Sequence, residues 1–457
     1  MRPSNRYSNA TTYVLLLLFA VVIVGCNRKA EVAKTATPAD ESKRPALRIL
    51  LVDSLELAGP LEIRWQSTSQ QKLDIKNIST DELLSKSTVE SDLIIYPAML
   101  IGELIQRDAI LALPQKIADT AKNGSGTEDI VKWPAHWLRT GSYGKKLYGV
   151  VLATPLPMIV RNRSDDASPF TIESLANAPA VNVRASTSPD KNVPVDNSWL
   201  VDRFLVFLAD EKKDSNQLGW FFQLADMSPR LLDAEFERAA TKFILASKNQ
   251  QTFWQQPMPD AWEAVRRGEL SWTLGYPRAK LENTETTATA SELVVGFYGK
   301  SRPPSDSSKQ NEPASLITTF DNGRGLMASL ASTNRQSAAS SYFLEWLNNE
   351  NQRVAFNGAT ERVASLRENA VATQGPEESL QRQTIAALAA SIPNEFRFAG
   401  VNRYRSRLQK MLEAILANPE NLNDELANCN QDFNKISEEL GRATQRTSIE
   451  KSLLLTD

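Results

Sequence analysis

Apolar and polar positions along this chain switch repeatedly between a period of two and a period near 3.6, which predicts strands interleaved with helices. Residues 47–52 (LRILLV) form a short apolar run suited to a strand buried on both faces, with Asp53 and Ser54 at its C-terminal end. A helix is predicted over residues 55–67, weakened by Gly59-Pro60, and residues 72–76 alternate as a second strand. Residues 80–86 fit a short helix, residues 92–97 (DLIIYP) a third strand, and residues 99–108 an amphipathic helix. A β-α-β-α-β order with short connections implies a parallel sheet covered by helices. Ligands of such sheets sit outside the strand C-termini, which places Asp53, Ser54, Tyr96 and Pro97 beside a potential cleft.

Further along, residues 147–155 and 157–162 are extended segments, and residues 201–209 (VDRFLVFLA) are apolar and helical. Residues 260–267 (DAWEAVRR) read as a helix stopped by Gly268, followed by a strand over 270–277. Residues 281–292 are polar and Thr-rich, and residues 301–315 have the composition of a surface loop. A strand near 325–330 precedes a helix over 336–348 whose core face uses Ala339, Phe343, Trp346 and Leu347. Two more helical stripes follow. One is Tyr404, Leu408, Met411, Leu412, Ile415 and Leu416; the other is Leu422, Leu426, Cys429, Phe433, Ile436 and Leu440, which buries Cys429 as a small hydrophobe. No internal repeat is visible.

The N-terminus adds a separate signal. Arg2 and Arg6 precede an unbroken apolar run, residues 14–24 (VLLLLFAVVIV). Eleven helical residues span about 16 Å against a hydrocarbon core of about 30 Å, so the run fits a signal-peptide core better than a membrane span. It ends in Ile23-Val24-Gly25-Cys26, which resembles the bacterial lipobox. That resemblance implies cleavage of residues 1–25, acylation of Cys26 and stable anchoring through several acyl chains. Residues 26–45 are polar, without periodicity, and read as a flexible tether.

Composition removes most chemistry. Among 457 residues there are 52 Lys and Arg against 54 Asp and Glu, a balance that argues against a nucleic-acid binder. One His (His136) and two Cys (Cys26, Cys429) leave no supply for the usual zinc sites or for a disulfide framework. His136 lies in the loop-like Trp133-Pro134-Ala135-His136-Trp137 without a patterned Ser or Asp partner. Asn123-Gly124-Ser125-Gly126 is too short for a phosphate loop, and no GK[ST] follows it. Neither catalysis nor a cofactor or metal is expected.

Several segments, in order, resemble the bacterial extracellular solute-binding proteins of the maltose/maltodextrin-binding type. Residues 92–96 precede Asp108-Ala109-Ile110-Leu111-Ala112-Leu113-Pro114, Tyr148-Gly149-Val150-Val151 leads to Val160-Arg161-Asn162, Ala261-Trp262 precedes Gly268 and Gly275-Tyr276, and Ser332, Ala338, Phe343 and Trp346-Leu347 share a helix pattern. The resemblance implies an α/β, two-lobed periplasmic-binding-protein fold with a ligand cleft between the lobes. Lobe one would hold residues 46–155 and 291–360, lobe two residues 156–290 and 361–446, and residues 447–457 a C-terminal tail. It also implies an exported, monomeric, membrane-anchored solute receptor that delivers a small solute, such as a sugar or sugar derivative, to the permease subunits of an ABC transporter.

The candidate ligand-binding residues are Asp53, from its place at a strand C-terminus, Arg324, from the turn Asp321-Asn322-Gly323-Arg324-Gly325, and, by the resemblance, Tyr96, Tyr276, Arg278 and Arg405. Tyr96 and Tyr276 match aromatic positions that stack on sugar rings in relatives, while Trp65, Trp262 and Trp346 read as core. Arg278 and Arg405 stand where sugar binders often carry Trp, which would present guanidinium groups suited to carboxylate or phosphate. These departures, with Pro155 and Pro157 stiffening the crossover, sustain a second expectation, a non-transport envelope lipoprotein that uses the same fold as a sensor or interaction module.

Overall fold

The computed structural model describes residues 45–124, 132–154, 157–162, 172–176, 198–212, 219–249, 258, 264–265, 272–275, 293–296, 323–349 and 396–456. The N-terminal apolar run, Cys26, the tether, Pro155, Trp262, Tyr276, Arg278 and the loop at 301–315 lie outside them.

The chain opens with β1 (Leu47–Val52), α1 (Ala58–Thr68), β2 (Leu73–Ile78), α2 (Thr80–Ser85) and β3 (Leu93–Pro97). β1 pairs in parallel with both neighbours, Ile49 lying opposite Ile75 on one side and Leu93 on the other. The expected β-α-β-α-β unit is therefore present. Next come α3 (Ile101–Gln106), β4 (Ile110–Leu111), α4 (Gln115–Asn123), α5 (Ala135–Gly141), the small hairpin β5 (Ser142–Tyr143) and β6 (Lys146–Leu147), and β7 (Gly149–Ala153). His136 thus sits in the first turn of a helix rather than in a loop, because Pro134 supplies the extended entry and Ala135 starts the turn.

β8 (Met158–Asn162), α6 (Ile172–Ala176) and α7 (Ser198–Lys212) follow, then the hairpin β9 (Phe222–Gln223) and β10 (Ser228–Pro229), α8 (Ala234–Asn249), β11 (Trp272–Gly275) and β12 (Leu293–Gly296). β8 is the centre of an antiparallel trio, β11-β8-β12. β13 (Leu326–Ala331) then returns to the first sheet, antiparallel to β3, with β4 and β7 on its other side. The large sheet, β2-β1-β3-β13-β4 with β7 beside β13, is mixed as a result. α9 (Ser337–Leu347), α10 (Val401–Ala417), α11 (Leu422–Leu440) and α12 (Arg442–Ser452) complete the described chain.

Buried side chains fall into two separate cores. One draws on residues 47–152 and 326–347, the other on 159–274 and 396–449. The chain crosses between them three times. In the first core Trp65 is fully buried, with Phe343 at 4.8 Å and Trp346 at 5.2 Å. In the second, Phe222, Tyr404 and Phe433 pack ring to ring around the buried Cys429 stripe, Tyr404 to Phe433 at 4.9 Å. Trp65, Trp346 and Cys429 thus occupy the core positions expected of them.

The two cores are joined firmly along one side. Arg397 is buried and donates to the carbonyls of Arg139 (3.0 Å), Thr140 (2.7 Å) and Ser142 (2.8 Å). The Gly102 amide donates to the Arg397 carbonyl at 3.0 Å, and the Gly400 amide to Glu103 Oε2 at 2.7 Å. The C-terminus belongs to this junction. Where the sequence suggested a tail beginning at residue 447, α12 continues to Ser452, and Ser448 meets the Tyr143 hydroxyl through both its carbonyl (2.8 Å) and its Oγ (2.6 Å). The segment reads as a tail because three of its four buried residues, Gln445, Ser448 and Ser452, are polar and only Ile449 is apolar, and hydropathy does not register burial sustained by hydrogen bonds.

Gly102 carries a testable consequence of this joint. A Cβ there would lie 2.3 Å from the Arg397 carbonyl oxygen and 2.7 Å from the Phe398 Cα, both backbone atoms. Gly102→Val should therefore destabilise the protein by about 1–3 kcal/mol or more, read as a lowered midpoint in urea unfolding.

Candidate functional site

The C-terminal edge of the parallel strands is where an open α/β sheet offers a site. At that edge the turn before β13 is tied to the end of β3, the Met99 amide donating to the Gly323 carbonyl at 3.0 Å and the Ala98 amide to the Gly325 carbonyl at 2.7 Å. Arg324, between those carbonyls, is aimed away from its own core. Its Nε and Nη2 donate to Asp202 Oδ2 at 3.0 and 2.8 Å, and its guanidinium lies 4.5 Å over the Trp199 ring. Asp202 and Trp199 belong to α7 of the second core, so this contact crosses the seam.

Asp202 has a second cation. Arg405, on the second turn of α10, donates from Nη2 to Asp202 Oδ1 at 2.9 Å. Asp202 has no exposed surface, and the Arg405 side chain retains 9%. Burial alone pushes the Asp202 carboxyl up, but the flanking Arg324 and Arg405 guanidiniums overcome this and hold it below the usual carboxylate range. One carboxylate thus serves two arginines from opposite sides of the seam.

Not all of the hydrogen-bonding capacity at this place is used. Arg405 Nη1, Asn402 Nδ2 and Thr154 Oγ1 are buried without a protein partner. Asn402 lies three residues before Arg405 on α10, which puts both on one helix face. Thr154 follows β7 and packs beside Gly325.

Of the six expected ligand residues, Arg324 and Arg405 come together, each held by Asp202. Asp53 stands at the exposed end of β1 with φ 49°, and its carboxylate accepts from the Thr80 amide (3.2 Å) and hydroxyl (2.6 Å), holding the start of α2. Tyr96 requires a correction. It was expected to stack on a solute ring, yet it is fully buried, with its hydroxyl 2.9 Å from Ser329 Oγ on β13. The cause is β13 itself, which pairs along β3 and sets Met327 opposite Tyr96. Tyr276 and Arg278 lie outside the described residues.

Asp202 and Trp199 were missed by the sequence reading. The available signal was an Asp-Arg pair, Asp202-Arg203, inside an otherwise apolar helix, since an acid in such a run is buried only when it is paired. Arg203 is buried as well.

The single histidine takes no part in this site. His136 is 2% exposed, neither ring nitrogen has a partner, and burial, helped by the Arg139 charge, pushes its pKa down to about 3. Among the described residues no three His, Cys, Asp or Glu side chains are grouped to hold a metal ion, and no helix is long and apolar enough to cross a membrane.

No family model matches the chain, and no curated protein matches it in sequence. Solved structures do match in shape. An ABC transporter solute-binding protein from Agrobacterium radiobacter K84 in complex with ribitol superposes with a TM-score of 0.63 at 12% identity, covering 86% of this chain and 98% of that one. Maltose-bound MalE3 of T. maritima gives 0.62 at 12%, covering 86% of this chain and 100% of that one. A solute-binding protein from Agrobacterium vitis S4 with bound D-mannitol gives 0.60 at 10%, covering 87% and 99%. The fold of this chain is the two-lobed α/β fold of the solute-binding proteins.

Two outcomes follow. Asp202→Asn leaves two guanidiniums without their shared anion and should cost about 3–5 kcal/mol in urea unfolding at neutral pH. Because the folded carboxyl titrates below its unfolded value, the gap between wild type and variant should hold above about pH 4 and close as pH falls further. For His136 the unfolded imidazole binds a proton near pH 6.5 and the folded one only near pH 3. Wild-type stability should therefore fall by about 1.4 kcal/mol for each unit that the pH is lowered from about 6.5 to about 3, relative to His136→Met.

Proposed function

We propose that this chain is the exported, lipid-anchored receptor of an ABC importer and captures a small polyhydroxylated solute, a sugar or sugar derivative, between its two lobes. The observation that carries this reading is the placement of Asp202. It brings α7 of the second lobe onto the Arg324 turn of the first, at the sheet edge where such folds take ligands, while Arg397 and α12 form a further set of contacts between the lobes. A molecule whose lobes meet through a dense hydrogen-bonded joint and a separable ion cluster can open and close about the joint. A solute that touches both lobes binds the closed form better and shifts the population toward it. The ribitol, maltose and D-mannitol in the similar structures supply the solute class. The apolar run ending at Gly25-Cys26 supports export and anchoring through the acylated cysteine.

A second reading, the same fold serving as an envelope sensor without transport, is favoured by the burial of Tyr96, which takes one stacking surface away from the seam.

A thermal-shift screen over sugars, polyols and sugar acids tests the receptor reading. At about a hundredfold its Kd a true solute adds about 2.7 kcal/mol of stability, and one chemical class should raise the melting temperature in a saturable way. A flat response to every compound would contradict it.

A further inference from the structure

The arginine cluster at the seam says more about the solute than the fold does. Asp202 divides its two oxygens, Oδ1 to Arg405 and Oδ2 to Arg324, so Arg405 receives only part of one anion. Its Nη1 is buried and has no acceptor, in a side chain that is 9% exposed. A guanidinium carries five N–H donors in a rigid fork and cannot shed its proton, so its charge must be met by an acceptor. One turn earlier on α10, Asn402 Nδ2 is a second buried donor without an acceptor. Two such donors three residues apart share one face of the helix. They also lie in its first two turns, where the aligned peptide dipoles favour negative charge.

Resting on the solute-receptor reading, we propose that the solute carries a carboxylate, whose oxygens accept from Arg405 Nη1 and Asn402 Nδ2. Asp202 is the positioning residue. By holding Nη2 it fixes the guanidinium plane and leaves Nη1 open. A neutral hydroxyl can accept from these donors but leaves the charge unanswered, whereas a carboxylate offers two oxygens and completes the charge. Charge-assisted hydrogen bonds are about twice as strong as neutral ones, and more so where water is excluded. The chemical class is therefore a sugar acid, aldonic or uronic, rather than a neutral sugar or polyol.

The test is isothermal titration with matched pairs: D-gluconate against D-glucitol, D-ribonate against ribitol, and D-glucuronate against D-glucose. In at least one pair the acid should bind about tenfold or more tighter than its neutral counterpart. Asn402→Asp keeps the side-chain size, suits the first turn of a helix and leaves the Asp202 bonds untouched, but it places a carboxylate where the solute's would sit. It should weaken the acid about tenfold or more relative to its neutral counterpart. Arg405→Lys, which keeps the charge but loses the fork, should narrow the preference for the acid. Neutral compounds binding as tightly as their acids, or Asn402→Asp weakening both alike, would overturn the carboxylate assignment and leave the receptor reading standing. A panel in which nothing binds would overturn both.

Discussion

A carboxylate that has lost all contact with water must have its charge answered by the groups around it, and at Asp202 those groups come from distant parts of the chain. Arg405 belongs to the same lobe, 203 residues away in sequence; Arg324 belongs to the turn before β13 in the other lobe. The price of burying Asp202 is met only when α7, α10 and that turn stand in one arrangement. The ion cluster is thus a geometric constraint first and a source of stability second. Removing one partner costs more than the assembled cluster contributes, since the remaining charges stay buried.

The other contacts between the two lobes are built from different material. Arg397 spreads its charge over three backbone carbonyls, Gly102 allows two backbones to touch, and Ser448 binds Tyr143. These contacts join the lobes mainly through backbone groups. The Asp202 cluster joins them through charged side chains. On the proposed receptor function, a solute held at this cluster would express its binding energy as a movement of the lobes.

Much of this fold was legible because it is written in apolar periodicity. The parallel unit of β1, β2 and β3 and the stripes of α9, α10 and α11 follow from runs of Leu, Ile, Val and Phe, whose burial is the main driving force. The site was legible only in part. Arg405 was marked by its place in a family pattern and Arg324 by its place in a turn, but Asp202, which holds them, was hidden inside an apolar helix. Tyr96 was misjudged for a physical reason: its hydroxyl meets Ser329, the diagonal neighbour on the same sheet face, and that partner comes from β13, some 230 residues later. α12 was missed because its buried groups, Ile449 apart, are serine and glutamine, which are sustained by hydrogen bonds to partners that lie far off in sequence.

The central claim is that the Asp202 cluster holds the two lobes together at a separable seam. Small-angle scattering of wild type, Asp202→Asn and Asp92→Asn tests it most directly. Asp92 is an equally buried acid paired with Arg48, but entirely within the first lobe. The account predicts a larger radius of gyration for Asp202→Asn and an unchanged one for Asp92→Asn. Identical radii for wild type and Asp202→Asn, with both folded, would contradict it.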